Sequence, residues 1–197
     1  MTALPLIRRR FTPEEYLLIE RAADTRSEFL DGEIYDMAGA SEEHTTINDN
    51  LVGEGYVQLK GTICQGMSQN VKVPAGRESL FAYPDYLIVC GEKRYRDTQR
   101  DVLLNPLVIF EILSPSTEHY DSATKFDLYK QIDSLMEYVL IAQDRPRVEQ
   151  WLRMEGGSWR QTVLIGLDAK LALETVDVTV SLADLYDRIS FVTASER

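Results

Sequence analysis

The chain has 197 residues, 21 basic and 32 acidic side chains, and a formal net charge of −11. Hydrophobic residues make up 44% and charged residues 27%, which excludes a disordered or collagen-like chain and predicts one domain over residues 1–197 with a real core. The acidic balance argues against a protein that coats nucleic acid; it permits a small-substrate enzyme, a metal-dependent enzyme or an interaction module.

No apolar run approaches the roughly 18 residues that span a bilayer. Arg8-Arg9-Arg10 leads into Phe11-Thr12-Pro13-Glu14-Glu15 and not into an apolar stretch, so neither a secretory leader nor membrane contact is expected. Cys64 and Cys90 are too few for a disulfide framework, and a reduced, cytoplasmic compartment is the expectation. Without repeats or linkers, the core should run over 11–191, with a short N-terminal arm and a tail at Thr193–Arg197.

Thr12-Pro13-Glu14-Glu15 predicts a helix start. Thr12 caps, Pro13 takes the first helical position and Glu15 closes a capping box, with Leu18 and Ala22 on an apolar face up to Asp24. Ser27 to Met37 alternates around Asp31-Gly32, a hairpin signal. A second helix should begin near Ser41, carry Ile47, Leu51, Gly55 and Leu59 at four-residue spacing, and end before Gly61. Short strands follow at Val71–Val73 and Tyr86–Cys90, and Leu107-Val108-Ile109-Phe110 reads as a central strand buried on both faces. After the Ser114-Pro115-Ser116-Thr117 turn, a helix should run to about Ile132 with Phe126 and Tyr129 inward. Three strands then follow (Tyr138–Ala142, Val148–Met154 and Trp159–Ile165), the last two joined at Gly156-Gly157, and Ser181 caps a short helix over Leu182–Tyr186. The pattern predicts an α/β fold with a mixed β-sheet flanked by helices.

Four side chains stand out chemically. Pro84 fixes the backbone before Asp85, at the mouth of a buried strand; a turn aspartate is the plain alternative. Glu111 extends the buried run, where an unpaired carboxylate costs several kcal/mol. It is therefore a buried ion-pair partner, a protonated acid, a metal ligand or a general base. Lys125 follows Asp121 by four residues, the spacing of a simple helical ion pair. Glu28 shares a strand face with Leu30 and can point inward, or be a solvated strand glutamate. His44 lies on the face of Ile47 and Leu51 and reads as a hydrogen-bonded core histidine rather than a ligand. Neither it nor His119 has a second histidine at metal-like spacing, which disfavours zinc. A Walker loop, a dinucleotide glycine fingerprint and a Gly-x-Ser-x-Gly elbow are all missing from the sequence.

Pro84-Asp85, Glu111-Ile112-Leu113 and Lys125 together resemble the PD-(D/E)XK nuclease superfamily, the restriction endonuclease-like fold. More specifically, the chain resembles the bacterial restriction endonuclease-like family known as domain of unknown function 820. The likeness runs through Phe11–Tyr16, Glu28–Ile34, His44, Tyr83–Asp85, Glu111–Thr117, Asp121, Lys125, Tyr129 and Glu137-Tyr138. It implies a metal-dependent endonuclease that hydrolyses DNA phosphodiester bonds. Asp85, Glu111 and the Ile112 carbonyl would hold Mg²⁺ or Mn²⁺, Lys125 would orient water, and Glu28 would be an accessory acid. One position departs from the superfamily pattern: Leu113 stands where lysine is usual, and the resemblance implies that Lys125 supplies the amine from the adjacent helix. The alternative is a degenerate nuclease fold acting as a binding or interaction module. Lys93, Arg94, Arg96 and Arg100 form a candidate DNA-contact strip, or else a solvated loop. With the acidic composition this predicts a weak, salt-sensitive DNA encounter, and analogy with nucleases of this fold implies a homodimer.

Overall fold

Helix α1 (Pro13–Ala22) begins as its capping signal predicts. Glu15 N donates to Thr12 Oγ1 at 3.2 Å, and Thr12 N donates to Glu15 Oε2 at 3.0 Å. The computed structural model describes residues 9–37, 39–114 and 118–191. Arg8, the Pro115-Ser116-Thr117 part of the expected turn and the Thr193–Arg197 tail lie outside the described residues. The buried face of α1 is Tyr16, Leu17 and Glu20, while Leu18 is 72% exposed. The expected apolar stripe through Leu18 is thus rotated. The aromatic seat formed by Phe29 and Phe81 takes Tyr16, and the helix turns accordingly.

Strands β1 (Ser27–Leu30) and β2 (Glu33–Asp36) form the hairpin around Asp31-Gly32. Both turn residues have positive φ, 48° and 89°, as a two-residue turn of matching twist requires. With β4 (Val73–Ala75) and β5 (Leu80–Ala82) they make a four-stranded sheet in the order β2-β1-β5-β4. The expected strand at Val71–Val73 is displaced to β4. Lys72 instead bridges to Val102, held by its backbone bonds to Asp101 and Leu103.

The larger sheet is mixed, as predicted. Strands β3 (Cys64–Ser68), β6 (Tyr86–Cys90), β7 (Val108–Leu113), β8 (Glu137–Ala142), β9 (Arg147–Arg153) and β10 (Trp159–Ile165) lie in the order β10-β9-β8-β7-β6-β3. Only β7 and β8 pair in parallel within this sheet; the helical crossover between them makes that possible. Helix α2 (Glu42–Leu59) packs Ile47, Leu51 and Leu59 against Ile88, Phe110 and Ile112 on one face. On the other face a π-helical turn (Tyr120–Lys125) runs straight into α3 (Phe126–Tyr129), whose Phe126 and Tyr129 pack with Ile109, Leu113 and Tyr138. Alternation along β7 therefore sends Glu111 to the α3 face and Phe110 and Ile112 to the α2 face. The helix stops at Tyr129 rather than Ile132, and a turn closed by Ile132 N onto Tyr129 O follows.

The strands β11 (Lys170–Ala172) and β12 (Thr179–Ser181), which lead into α4 (Leu182–Leu185), close the α2-side core. The two cysteines are linked, contrary to the expectation of reduced thiols. The antiparallel register of β3 and β6 sets Cys64 directly opposite Cys90, with the Cα atoms 3.9 Å apart, and a disulfide joins them. Among the described residues no helix is long and apolar enough to cross a membrane.

Candidate active site

Strand β7 outruns β6 by three residues, since Tyr86 pairs with Phe110 and nothing on β6 faces Glu111, Ile112 or Leu113. Asp85, immediately before β6, fills that step. Its Oδ2 accepts from Ile112 N at 2.7 Å and its Oδ1 lies 2.9 Å from His44 Nε2. His44 sits in the first turn of α2, where its backbone N–H is capped by Ser41 Oγ at 3.2 Å. Proline before Asp85 and the ladder behind it leave this carboxylate little freedom.

Glu111 enters from the α3 face and is fully enclosed. Tyr129 donates its hydroxyl to Glu111 Oε1 at 3.2 Å, and Lys125 Nζ lies 3.5 Å from the same oxygen. Lys125 is equally enclosed, with Nζ 3.2 Å from Glu28 Oε1 and 3.2 Å from Asp121 Oδ1. The helix is aimed by packing: Phe126 stacks on Tyr138 with ring centroids 4.9 Å apart, and the Tyr138 hydroxyl donates to the Asp121 carbonyl at 3.0 Å. The π-helical turn brings Asp121 and Lys125 inward together, the kind of irregular turn that recurs at functional sites. Glu28 reaches the cluster from β1, and Tyr83 N donates to its Oε1 at 3.2 Å.

The electrostatics follow from burial. Desolvation pushes the Glu111 carboxyl well above its ordinary range; Lys125 opposes the shift, while Asp121, Asp85 and Glu28 add to it. Burial alone would lower the Lys125 pKa, yet Glu111, Glu28 and Asp121 hold its ammonium well above the ordinary lysine value. Tyr129 and Tyr138 are also held protonated by burial. Three carboxyl groups, Glu111, Glu28 and Asp121, thus surround one permanent cation, with Asp85 held nearby by His44 and the Ile112 amide, a charge imbalance that a divalent cation would relieve.

The donor set fits a hard cation such as Mg²⁺ or Mn²⁺ in its chemistry: carboxylate oxygens from Asp85 and Glu111 on adjacent strands, beside excess negative charge. Among the described residues no three His, Cys, Asp or Glu side chains form a ready-made cage. Asp85 Oδ1 and Oδ2 and Glu111 Oε1 are engaged by His44, the Ile112 amide, Lys125 and Tyr129, so a cation bound at those oxygens would compete with these contacts.

Asp85, Glu111, Lys125 and Glu28 are therefore brought into one connected group, together with Ile112 through its amide. The basic strip is not a uniform free surface. The Arg96 guanidinium pairs with Glu14 at 2.9 Å and Glu78 at 2.8 Å, so it would exchange those carboxylates on meeting a phosphate. The guanidinium of Arg100 lies over the Tyr95 ring at 5.1 Å. Lys93 lines a cavity of about 440 Å³ with Tyr56, Lys60, Cys64 and Tyr86, and Arg94 is exposed. Sequence reasoning gave no site role to Asp121, Tyr129 or His44. The i,i+4 spacing of Asp121 and Lys125 was the one available signal for the first, and the order of motifs for the other two.

The comparisons with known proteins bear on the fold and the family. A solved structure titled "Crystal structure of a putative nuclease belonging to DUF820 from Anabaena variabilis ATCC 29413" shares the fold with a TM-score of 0.73 and 18% identity, covering 89% of this chain and 97% of that one. Two Synechocystis sp. (strain ATCC 27184 / PCC 6803 / Kazusa) proteins align over most of their length. Uncharacterized protein sll1609 is 31% identical over 160 residues, covering 81% of this chain and 90% of the relative. Uncharacterized protein slr1290 is 27% identical over 184 residues, covering 92% and 94%. The family model described as "Putative restriction endonuclease" matches residues 13–183, and the chain belongs to that family, Uma2.

Proposed function

We propose that the protein is a metal-dependent endonuclease that hydrolyses DNA phosphodiester bonds, with Asp85, Glu111, Lys125 and Glu28 as its working side chains. The observation that carries this reading is the enclosed Lys125 ammonium set among Glu111, Glu28 and Asp121, next to the strand step that carries Asp85. An isolated ion pair does not need three carboxylates, and their mutual repulsion favours a further cation.

Asp85, Glu111 and the Ile112 carbonyl would hold Mg²⁺ or Mn²⁺. The ion supplies Lewis acidity toward a phosphate oxygen and lowers the pKa of water beside it. Lys125 holds its proton throughout; its ammonium orients the attacking water and offsets charge gathering on the phosphate. Glu28 and Asp121 aim that ammonium, and His44 and the Ile112 amide fix the Asp85 carboxylate. In the pattern of matching motifs no side chain stands as a covalent nucleophile, so direct attack by water is the consistent chemistry.

A second reading, a nuclease fold that serves as a binding module, is favoured by one observation. Leu113 is packed into the apolar core beside Glu111, where the superfamily pattern places lysine. Cleavage of an end-labelled DNA duplex with Mn²⁺, but not with EDTA, separates the two readings. DNA binding without cleavage would establish the module. Analogy with nucleases of this fold adds a homodimer to the proposal, which sedimentation showing only monomer would refute.

A further inference from the structure

A second buried ionic group lies outside the carboxylate site and touches it through a single residue. Lys72, 2% exposed, places Nζ 2.6 Å from Glu20 Oε2, 2.9 Å from Tyr83 Oη and 3.0 Å from Asp101 Oδ2, so all three of its donors are used. Tyr83 in turn donates its hydroxyl to Glu20 Oε1. Burial raises the Tyr83 hydroxyl to about 12, and the hydrogen bonds of Lys72 outweigh its desolvation, so the phenol stays protonated and the amine charged.

We propose that Tyr83, locked by the Lys72–Glu20 ion pair, is a positioning residue that sets two carboxylates of the site at once. Its backbone N–H holds Glu28 Oε1 at 3.2 Å. Two residues further, across the fixed φ of Pro84, stands Asp85, tied to His44 and to Ile112 N. Glu28 and Asp85 come from different sheets, and the Tyr83–Asp85 segment is the covalent path joining their anchor points. A tyrosine clamped at its ring and its hydroxyl gives that segment one position, and small displacements at such a site cost large factors in efficiency.

Stability alone does not account for the clamp. A buried ion pair does little for net stability against a well-packed apolar replacement, because desolvation offsets most of the attraction. Nor does the clamp meet any substrate-facing surface: Lys72, Glu20 and Tyr83 are all buried. What it does reach is the strand step. The role rests on reading Asp85 and Glu28 as site carboxylates.

The test uses Tyr83→Phe, which keeps the ring and the backbone amide, and the double variant Lys72→Met with Glu20→Gln, which removes the ion pair while Asp101 keeps its Arg21 partner. Amide hydrogen exchange is read at residue 83 and at Ile112, whose N–H groups hold Glu28 and Asp85, and Mn²⁺ affinity is measured by calorimetry. Both variants should raise exchange at those two amides about tenfold, the loss of roughly one hydrogen bond, and weaken Mn²⁺ by a similar factor, with the amides of β8 unchanged. Unchanged protection at residue 83 and Ile112, whatever the melting temperature, overturns the proposal. If the wild-type chain takes up no Mn²⁺, the metal reading fails, while the exchange comparison still decides the clamp.

Discussion

The ammonium of Lys125 lies 3.5 Å from Glu111 Oε1, across the packing of a helix on a strand, although leucine occupies the strand position two residues after Glu111. On the proposed nuclease reading, the amine that the superfamily pattern places on the strand would come from the helical crossover, to the same face of β7. That relationship makes Leu113 compatible with an intact site, and it fixes what removal of Lys125 should do.

Lys125→Met should abolish detectable cleavage, a loss of at least about 100-fold, because water orientation and charge stabilisation both disappear. Its effect on stability should also be large, about 3–5 kcal/mol, since Glu28 and Asp121 would lose their enclosed cation. Urea unfolding in EDTA measures the second effect. A millimolar divalent cation should recover part of that stability, by standing in for the ammonium among the carboxylates.

The raised Glu111 carboxyl predicts a pH dependence of defined sign. Its ordinary value is 4.5 and its folded value lies well above, so the folded state binds more protons between the two. Stability from this group is therefore present below about pH 4.5 and is lost as pH rises through the folded value. Glu111→Gln should remove that decline. Binding of Mn²⁺ must also expel the proton, so affinity should rise with pH; calorimetry in two buffers of different ionisation enthalpy counts the protons released.

His44→Ala should weaken Mn²⁺ binding about tenfold with only about 1–2 kcal/mol lost in stability, because one hydrogen bond to Asp85 goes while the Ile112 amide remains. His44→Gln, which keeps a donor at similar reach, should restore most of the affinity. Equal affinity in all three proteins would remove His44 from the site.

DNA binding should fall with salt on a shallow slope, about −0.9 per phosphate contact, because the candidate basic strip is small. Arg94→Ala should reduce that slope by about one. Arg96→Ala should leave it unchanged, since the guanidinium already pairs with Glu14 and Glu78. Filter binding between 50 and 200 mM salt, on the order used for such slopes, checks both.

Local signals were legible in the sequence where one short stretch decides the outcome. The Thr12–Glu15 capping box, the Asp31-Gly32 hairpin and the buried run of β7 all form as their residues predict. What stayed hidden depends on partners far away in the chain. Cys-Gln-Gly-Met-Ser has no apolar alternation, so β3 exists only because β6 offers it a ladder, and the Cys64–Cys90 link follows from that register. The same holds within the site. Lys72, set between two valines, reads as a strand lysine, and only the fold shows that Glu20, 52 residues earlier, meets it. Lys125 and Asp121 were visible as an i,i+4 pair, but their enclosure depends on Tyr138 and Glu28, which periodicity cannot place.

The most direct test of the nuclease reading is nicking of supercoiled plasmid by the purified chain, with Mn²⁺ or EDTA, beside Asp85→Ala and Glu111→Ala proteins of confirmed fold. The account predicts open-circular product that needs Mn²⁺ and vanishes in both variants. Nicking that persists in EDTA, or that survives both substitutions, would contradict it.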